Sequence, residues 1–185
     1  MSTYKTTRFL TRLLLMLVLA SVGVVQAFAA SPAADSEEIN TLLSDAKSEA
    51  VQLKHDAQVM ETFTRTKVSW RSHAQQISLI KEHVNKTGEL VQKLNDVKES
   101  GSPWQQTAIE RVTPLLGELA KNVQGTIEHL NNNPSHVQMQ PFKDYVVANY
   151  NLANQLSALI TDFVDYGSTK DKFEKLGDQL EVAER

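Results

Sequence analysis

Four side chains pair the chemistry of a binding site with positions that a helical pattern brings to one end of a bundle: Trp70, His73, Tyr145 and Asn149. His73 and Asn149 fall on the apolar faces of two predicted helices, and Tyr145 lies beside them. An indole, an imidazole, a phenol and an amide can hold a small ligand by stacking and hydrogen bonding. They are candidate ligand-binding residues. The simpler alternative is a buried hydrogen-bond network that fixes the register of the helices.

Metal binding and catalysis find less support in the sequence. His73 and His129 are predicted at the same end and could share a metal ion, but neither a His-Glu-x-x-His nor a Glu-x-x-His pair is present. The chain has no cysteine, which excludes thiolate catalysis, disulfides and cysteine-ligated metals. No serine, histidine and aspartate signature and no glycine-rich phosphate loop occurs. We therefore expect no catalytic residue, metal site or cofactor, and no enzyme.

Helices must position these residues, because apolar residues recur at alternating gaps of three and four. The pattern is clearest from residue 36 to residue 64 and returns in three later stretches. The four stripes are Ile39, Leu43, Ala46, Ala50, Leu53, Ala57, Met60 and Thr64; Trp70, His73, Ile77, Ile80, Val84, Thr87, Val91 and Leu94; Ile109, Val112, Leu116, Leu119, Val123, Thr126 and Leu130; and Phe142, Tyr145, Asn149, Leu152, Leu156, Leu159, Phe163 and Tyr166.

The short connections between these stretches favour antiparallel neighbours. The fold class is therefore predicted to be all-α, an antiparallel up-down-up-down four-helix bundle with a short C-terminal fifth helix. One end of the bundle is expected to have a polar core and the other a dry one. Gly167 is predicted to end the fourth helix, although a bend there with a continuous helix is the alternative. Pro114 is expected to kink the third helix, or else to break it.

The N-terminus has the pattern of a secretory signal peptide. Lys5, Arg8 and Arg12 precede an apolar run of 13 residues, and Ala27 to Ala29 fits a small-x-small cleavage site. The sequence thus predicts a signal peptide at residues 1–29, a flexible arm at residues 30–35 and the helical domain at residues 36–185. An uncleaved anchor helix is the alternative, although the run is shorter than the 20 or so residues that span a bilayer.

The charge balance limits the classes of partner. Removal of residues 1–29 leaves 16 basic against 22 acidic residues, a net charge of −6. An acidic bundle is a poor match to nucleic acid, whose phosphates need a basic face. We expect a periplasmic or secreted, non-catalytic interaction or scaffold protein of the cell envelope, a monomer or homodimer with a protein partner and no transmembrane segment after cleavage. The alternative is a periplasmic small-ligand or metal-binding protein that uses the polar-cored end.

Overall fold

The computed structural model describes residues 34–183 and contains four helices and no strand in that part of the chain. Helix α1 is Glu37–Phe63, α2 is Trp70–Asp96, α3 is Pro103–Asn132 and α4 is Gln140–Ala183. One-turn 3₁₀ helices, Lys98–Ser100 and Pro134–His136, lie in the last two connections. The all-helical class is confirmed. The predicted signal peptide and residues 30–33 of the predicted arm lie outside the described residues.

Serine residues start the first three helices, as their positions in the sequence predict. The hydroxyl oxygen of Ser36 accepts a hydrogen bond from the backbone N–H of Ile39 at 3.4 Å, and that of Ser69 accepts from Ser72 at 3.3 Å. At the start of α3, the side-chain oxygen of Gln105 accepts from the N–H of Ser102 at 2.9 Å. Each of these bonds satisfies a donor that has no partner within its own helix.

Contacts between neighbouring helices run in opposite chain directions. His83 of α2 bonds to Glu49 of α1, whereas the earlier Gln76 bonds to the later Asp56. Helix α1 also packs against α4, and α3 packs against both α2 and α4. These pairings are compatible with the predicted antiparallel up-down-up-down order.

The predicted stripes form most of the buried core. All seven residues from Ile39 to Met60 in the first stripe are buried, and so are all seven in the third. In α4 the core instead follows Phe142, Val146, Asn149, Ala153, Leu156 and Ile160. Tyr145, Leu152 and Leu159 lie half-buried on the flank, because α4 carries apolar residues on two adjacent faces and the core follows the face that includes Phe142 and Ile160.

Helix α4 has 44 residues, against 27 to 30 in the other three. It therefore extends about 20 Å beyond them at 1.5 Å per residue. Gly167 lies inside this helix, and no glycine among the described residues has a positive φ. The predicted fifth helix is not confirmed as a separate element, because its residues continue α4. We call residues 168–183 the α4 extension.

Pro114 lies inside a continuous helix α3. The helix does not end there, so the alternative of a break at this residue is wrong. Pro114 is exposed, which places the ring and the missing N–H on the solvent side of the bundle, away from the core.

Candidate functional site

The structure brings together three of the four predicted site residues. His73 has no exposed surface and Asn149 has 1%, whereas Tyr145 is half-buried next to them. Trp70 is 43% exposed at the first position of α2, and the guanidinium of Arg71 lies 5.1 Å from the centre of its ring. Trp70 therefore lies on the outer surface and does not join the other three.

Aromatic rings fill the space around His73. The ring centroid of His73 is 5.5 Å from that of Phe63 and 5.1 Å from that of Phe142, edge-to-face in both cases. His129 lies 5.9 Å from Phe142 and 5.7 Å from Tyr145 on the same measure. We call these five residues the His73 cluster. It closes the end of the bundle where α1 and α3 finish and α2 and α4 begin.

Three ring nitrogens of the His73 cluster have no hydrogen-bond partner: Nδ1 and Nε2 of His73, and Nε2 of His129. Burial opposes a positive charge on the imidazole and lowers the pKa of His73 below its ordinary value. His73 is accordingly a neutral ring held among apolar groups. A buried polar atom without a partner costs free energy, so this residue lowers the stability of the fold unless a ligand reaches it.

Asn149 is different, because both ends of its amide are paired. Its nitrogen donates to the hydroxyl of Thr126 at 2.8 Å, and its oxygen accepts from the side chain of Asn122 at 2.8 Å. Asn122 also donates to the backbone oxygen of Tyr145 at 3.1 Å. The network joins α3 to α4 in one register, which agrees with the structural alternative given above for this residue.

Beside this network lies an open groove of about 710 Å³ between α3 and α4. Tyr145, Asn122 and Gly125 line its floor, and charged residues such as Glu118 and Lys121 form its rim. An added Cβ at Gly125 would lie 3.1 Å from the ring of Tyr145, so the glycine permits this close approach. The groove is wide open to solvent and does not enclose a ligand.

The other end of the bundle contains a network that the sequence analysis missed. Gln105 is fully buried, and its side chain makes four hydrogen bonds: it accepts from the N–H groups of Ser36 and Ser102 and donates to the oxygens of Ser36 and Asn40, all at 2.9 Å. The prediction of a dry core at this end is wrong. Gln105 stands three residues after Ser102, where a capping residue is typical, but nothing in the local sequence indicates its bonds to Ser36 and Asn40, 69 and 65 positions earlier.

Asp35 joins this network to the α4 extension. One of its carboxylate oxygens accepts from the indole N–H of Trp104, and the other accepts from the ammonium of Lys170, both at 2.8 Å. Burial would raise the pKa of Asp35, but the bonds from Lys170 and Trp104 outweigh it and hold that pKa below its usual value. The bonds to Asp35 and Glu174 raise the pKa of Lys170. Asp35, Ser36, Gln105, Trp104 and Lys170 are called the Gln105 junction below.

A histidine between two carboxylates links the middles of α1 and α2. Nδ1 of His83 lies 2.7 Å from Glu49, and Nε2 lies 3.4 Å from Asp56. The sequence analysis placed no function on these residues. Among the residues that the structure describes, no three histidine, cysteine or acidic side chains are arranged to hold a metal ion. Within residues 34–180, no serine, threonine or tyrosine hydroxyl group hydrogen-bonds to a histidine ring.

The α4 extension carries the three large apolar side chains that are most exposed within residues 34–180. Phe173 is 72% exposed, Leu180 69% and Leu176 55%. In an ideal helix with 100° per residue, these three lie roughly half a turn away from Gly167, which faces the bundle against Trp104. We call Phe173, Leu176 and Leu180 the outer stripe. It begins where α4 leaves the bundle.

No helix within residues 34–183 is both long and apolar enough to cross a membrane. Comparison of the chain with protein-family models, with curated proteins and with solved structures finds no match.

Proposed function

We propose that the chain is a non-catalytic interaction or scaffold protein of the cell envelope, exported by residues 1–29 and periplasmic or secreted. Its core in this proposal is an antiparallel up-down-up-down bundle, supported by the opposed pairings of α1 with α2 and of α3 with α4. The α4 extension is the element through which the bundle attaches to another component of the envelope.

The outer stripe carries the proposal. An apolar face that packs on its own bundle would lie on the side of Gly167, but Asp171, Glu174 and Asp178 occupy that side of the extension. The three large apolar residues lie on the opposite side and remain 55–72% exposed. Contiguous exposed apolar surface on a helix that projects from a domain is typical of an interaction site.

Export is supported by the basic residues and the apolar run before Ala27. The chain also has no cysteine to oxidise or to carry a lipid. Cell fractionation tests this part of the proposal. We expect the mature chain in the periplasm or the medium with a new N-terminus near residue 30, and recovery of the unprocessed chain in the cytoplasm would contradict it.

Attachment through the extension is tested by a photo-crosslinking amino acid at position 176. The matched control carries the same amino acid at position 79 on α2, where Leu79 is 44% exposed. We expect position 176 to give an adduct of defined mass in intact cells and position 79 to give none. Equal labelling from both positions, or none from position 176, would count against the α4 extension as the attachment site.

The alternative function, binding of a small ligand or metal at the polar-cored end, is favoured by one observation, the three unpaired ring nitrogens of the His73 cluster. It is opposed by the pairing of Asn149 and by the outward position of Trp70. Native mass spectrometry of the protein purified from its own cells tests it. A retained mass that disappears in His73→Leu would support this alternative, and a bare chain in both forms would exclude it.

A further inference from the structure

Around the α4 extension, lysine residues lie beside the outer stripe and acidic residues lie on the opposite side of the helix. At 100° per residue, Lys172 and Lys170 lie on the two sides of the stripe, each about a quarter of a turn from its centre. The ammonium of Lys170 bonds to Asp35 and Glu174, so Lys172 is the lysine that this face can offer to a partner. Asp171, Glu174 and Asp178 lie more than a third of a turn away, on the side that faces the bundle. The residues nearest to the stripe between positions 168 and 180 are thus lysine, glycine, glutamine, serine and threonine, and none of them is acidic.

This arrangement suits a surface on which negative charges border an apolar interior. Lysine side chains beside an apolar face can extend to phosphate groups while their methylene chains and the apolar residues enter the acyl region. The net charge of the mature chain is negative, so overall attraction to anionic lipid is absent, and the local position of Lys172 has to supply it.

The size of the stripe argues against a second copy of this chain or another folded protein. A stable protein interface needs about 800 Å² and 20–30 residues from each partner. The extension has 16 residues, from 168 to 183, and three large apolar side chains in the outer stripe. A lipid surface needs no complementary shape, because each apolar side chain enters it separately.

We propose that the α4 extension is an amphipathic membrane-surface helix: the outer stripe enters the headgroup and acyl boundary of a phospholipid bilayer, and Lys172 contacts its phosphate groups. This inference rests on the proposed function, since it names the envelope component that the extension meets.

Vesicle sedimentation tests the inference. It uses the full-length processed protein, purified from the cells that produce it. The vesicles contain phosphatidylcholine alone, or phosphatidylcholine and phosphatidylglycerol in equal amounts. We expect Leu176→Glu to weaken partitioning onto both kinds of vesicle about tenfold, because a charge replaces a leucine that would enter the bilayer. Leu79→Glu on α2 is the matched control and should partition like the wild-type protein. Lys172→Gln should weaken binding about threefold on the phosphatidylglycerol vesicles only.

Partitioning that is absent from the wild-type protein, or equal in Leu176→Glu and wild type, would overturn the inference. A concentration-dependent dimer in analytical ultracentrifugation that Leu176→Glu abolishes, with vesicle binding unchanged, would assign the outer stripe to a second copy instead. Circular dichroism melting of each variant checks that it folds. Because purified protein is used, failure of vesicle binding is separate from failure of export, which cell fractionation reports.

Discussion

At one end of the bundle the polar atoms of a buried side chain are hydrogen-bonded, and at the other end they are not. The side-chain oxygen of Gln105 accepts two hydrogen bonds and its nitrogen donates two, all of 2.9 Å. His73 uses neither ring nitrogen, although it is equally buried. Removal of a polar group that is paired should therefore destabilise the fold, and removal of one that is unpaired should not.

Substitution of Gln105 tests the first half of this contrast. Gln105→Leu leaves the N–H groups of Ser36 and Ser102 buried without acceptors, so we expect the free energy of unfolding to fall by about 3 kcal/mol. Urea unfolding measures the change. Gln124→Leu is the control, because Gln124 bonds only to Glu128 one turn away on the surface, and it should change stability by about 0.5 kcal/mol or less. Equal losses in both variants would contradict the role given to the junction.

Substitution of His73 tests the second half. Burial lowers the pKa of His73 in the folded state, so the unfolded chain binds more protons once the pH falls below about 6.5. Stability is then present in full above that pH and is lost as the pH falls further, by up to about 1.4 kcal/mol per pH unit. His73→Leu should remove this part of the slope and leave stability at pH 8 unchanged or higher.

Urea unfolding across pH 5 to 8 measures both effects for His73. His136→Leu is the matched control, since His136 is exposed in the last connection and should leave the slope as it is. If His73→Leu keeps the wild-type slope, another group is responsible for the loss of stability in acid.

For single residues, the sequence predicted which side chains are buried better than it predicted their hydrogen-bond partners. The three-four spacing identified His73, Thr126 and Asn149 as core residues, because helical periodicity is a local property. It could not show that Asn149 is paired through Asn122 or that Trp70 points outward. Those outcomes depend on which neighbour each helix end meets, and a long-range contact leaves no local pattern.

At the scale of elements, Gly167 decides how α4 passes the end of the bundle. An added Cβ there would lie 2.8 Å from Cη2 of the Trp104 indole, which is closer than real side chains approach. The glycine is thus needed for packing between α3 and α4. The sequence predicts that the same residue ends the helix, since a glycine near the end of an apolar pattern commonly has that role.

Glycine-to-alanine substitutions separate packing from helix propensity. Gly88→Ala and Gly117→Ala have open space around the new methyl group and should stabilise the protein by about 0.5–1 kcal/mol. Gly167→Ala should destabilise it by about 1–2 kcal/mol, because the indole has to move. Thermal melting followed by circular dichroism compares the three. A stabilised Gly167→Ala would mean that Trp104 can shift without loss.

At the scale of the whole molecule, the start of the described chain is tied to its last helix. Asp35 bonds to Lys170 across 135 positions, and Ser36 bonds to Gln105 across 69. From residue 171 to residue 180, the α4 extension makes no comparable bond to the bundle apart from the helix backbone itself. The bundle and the extension therefore contribute differently to stability.

Truncation after Ser168 tests this division. We expect the shortened chain to keep a single cooperative unfolding transition and to lose about 1 kcal/mol or less, because Asp35 loses an ion pair that is partly exposed. Lys170→Ala should reproduce most of that loss. Failure of the truncated chain to fold would show that the extension belongs to the folding unit, against the division drawn here.

The hydrogen bonds of Asp35 and Ser36 also determine the order in which parts of the protein can form. A ribosome releases a chain from its N-terminus, so Asp35 must wait for 135 further residues before Lys170 exists to meet it. Trp104 and Gln105 emerge earlier and can already bond to Asp35 and Ser36, so the bond from Lys170 is the last one that the Gln105 junction receives. The Gln105 junction is accordingly among the last parts of the protein to be completed, and one carboxylate oxygen of Asp35 waits for its ammonium partner until the final helix has emerged.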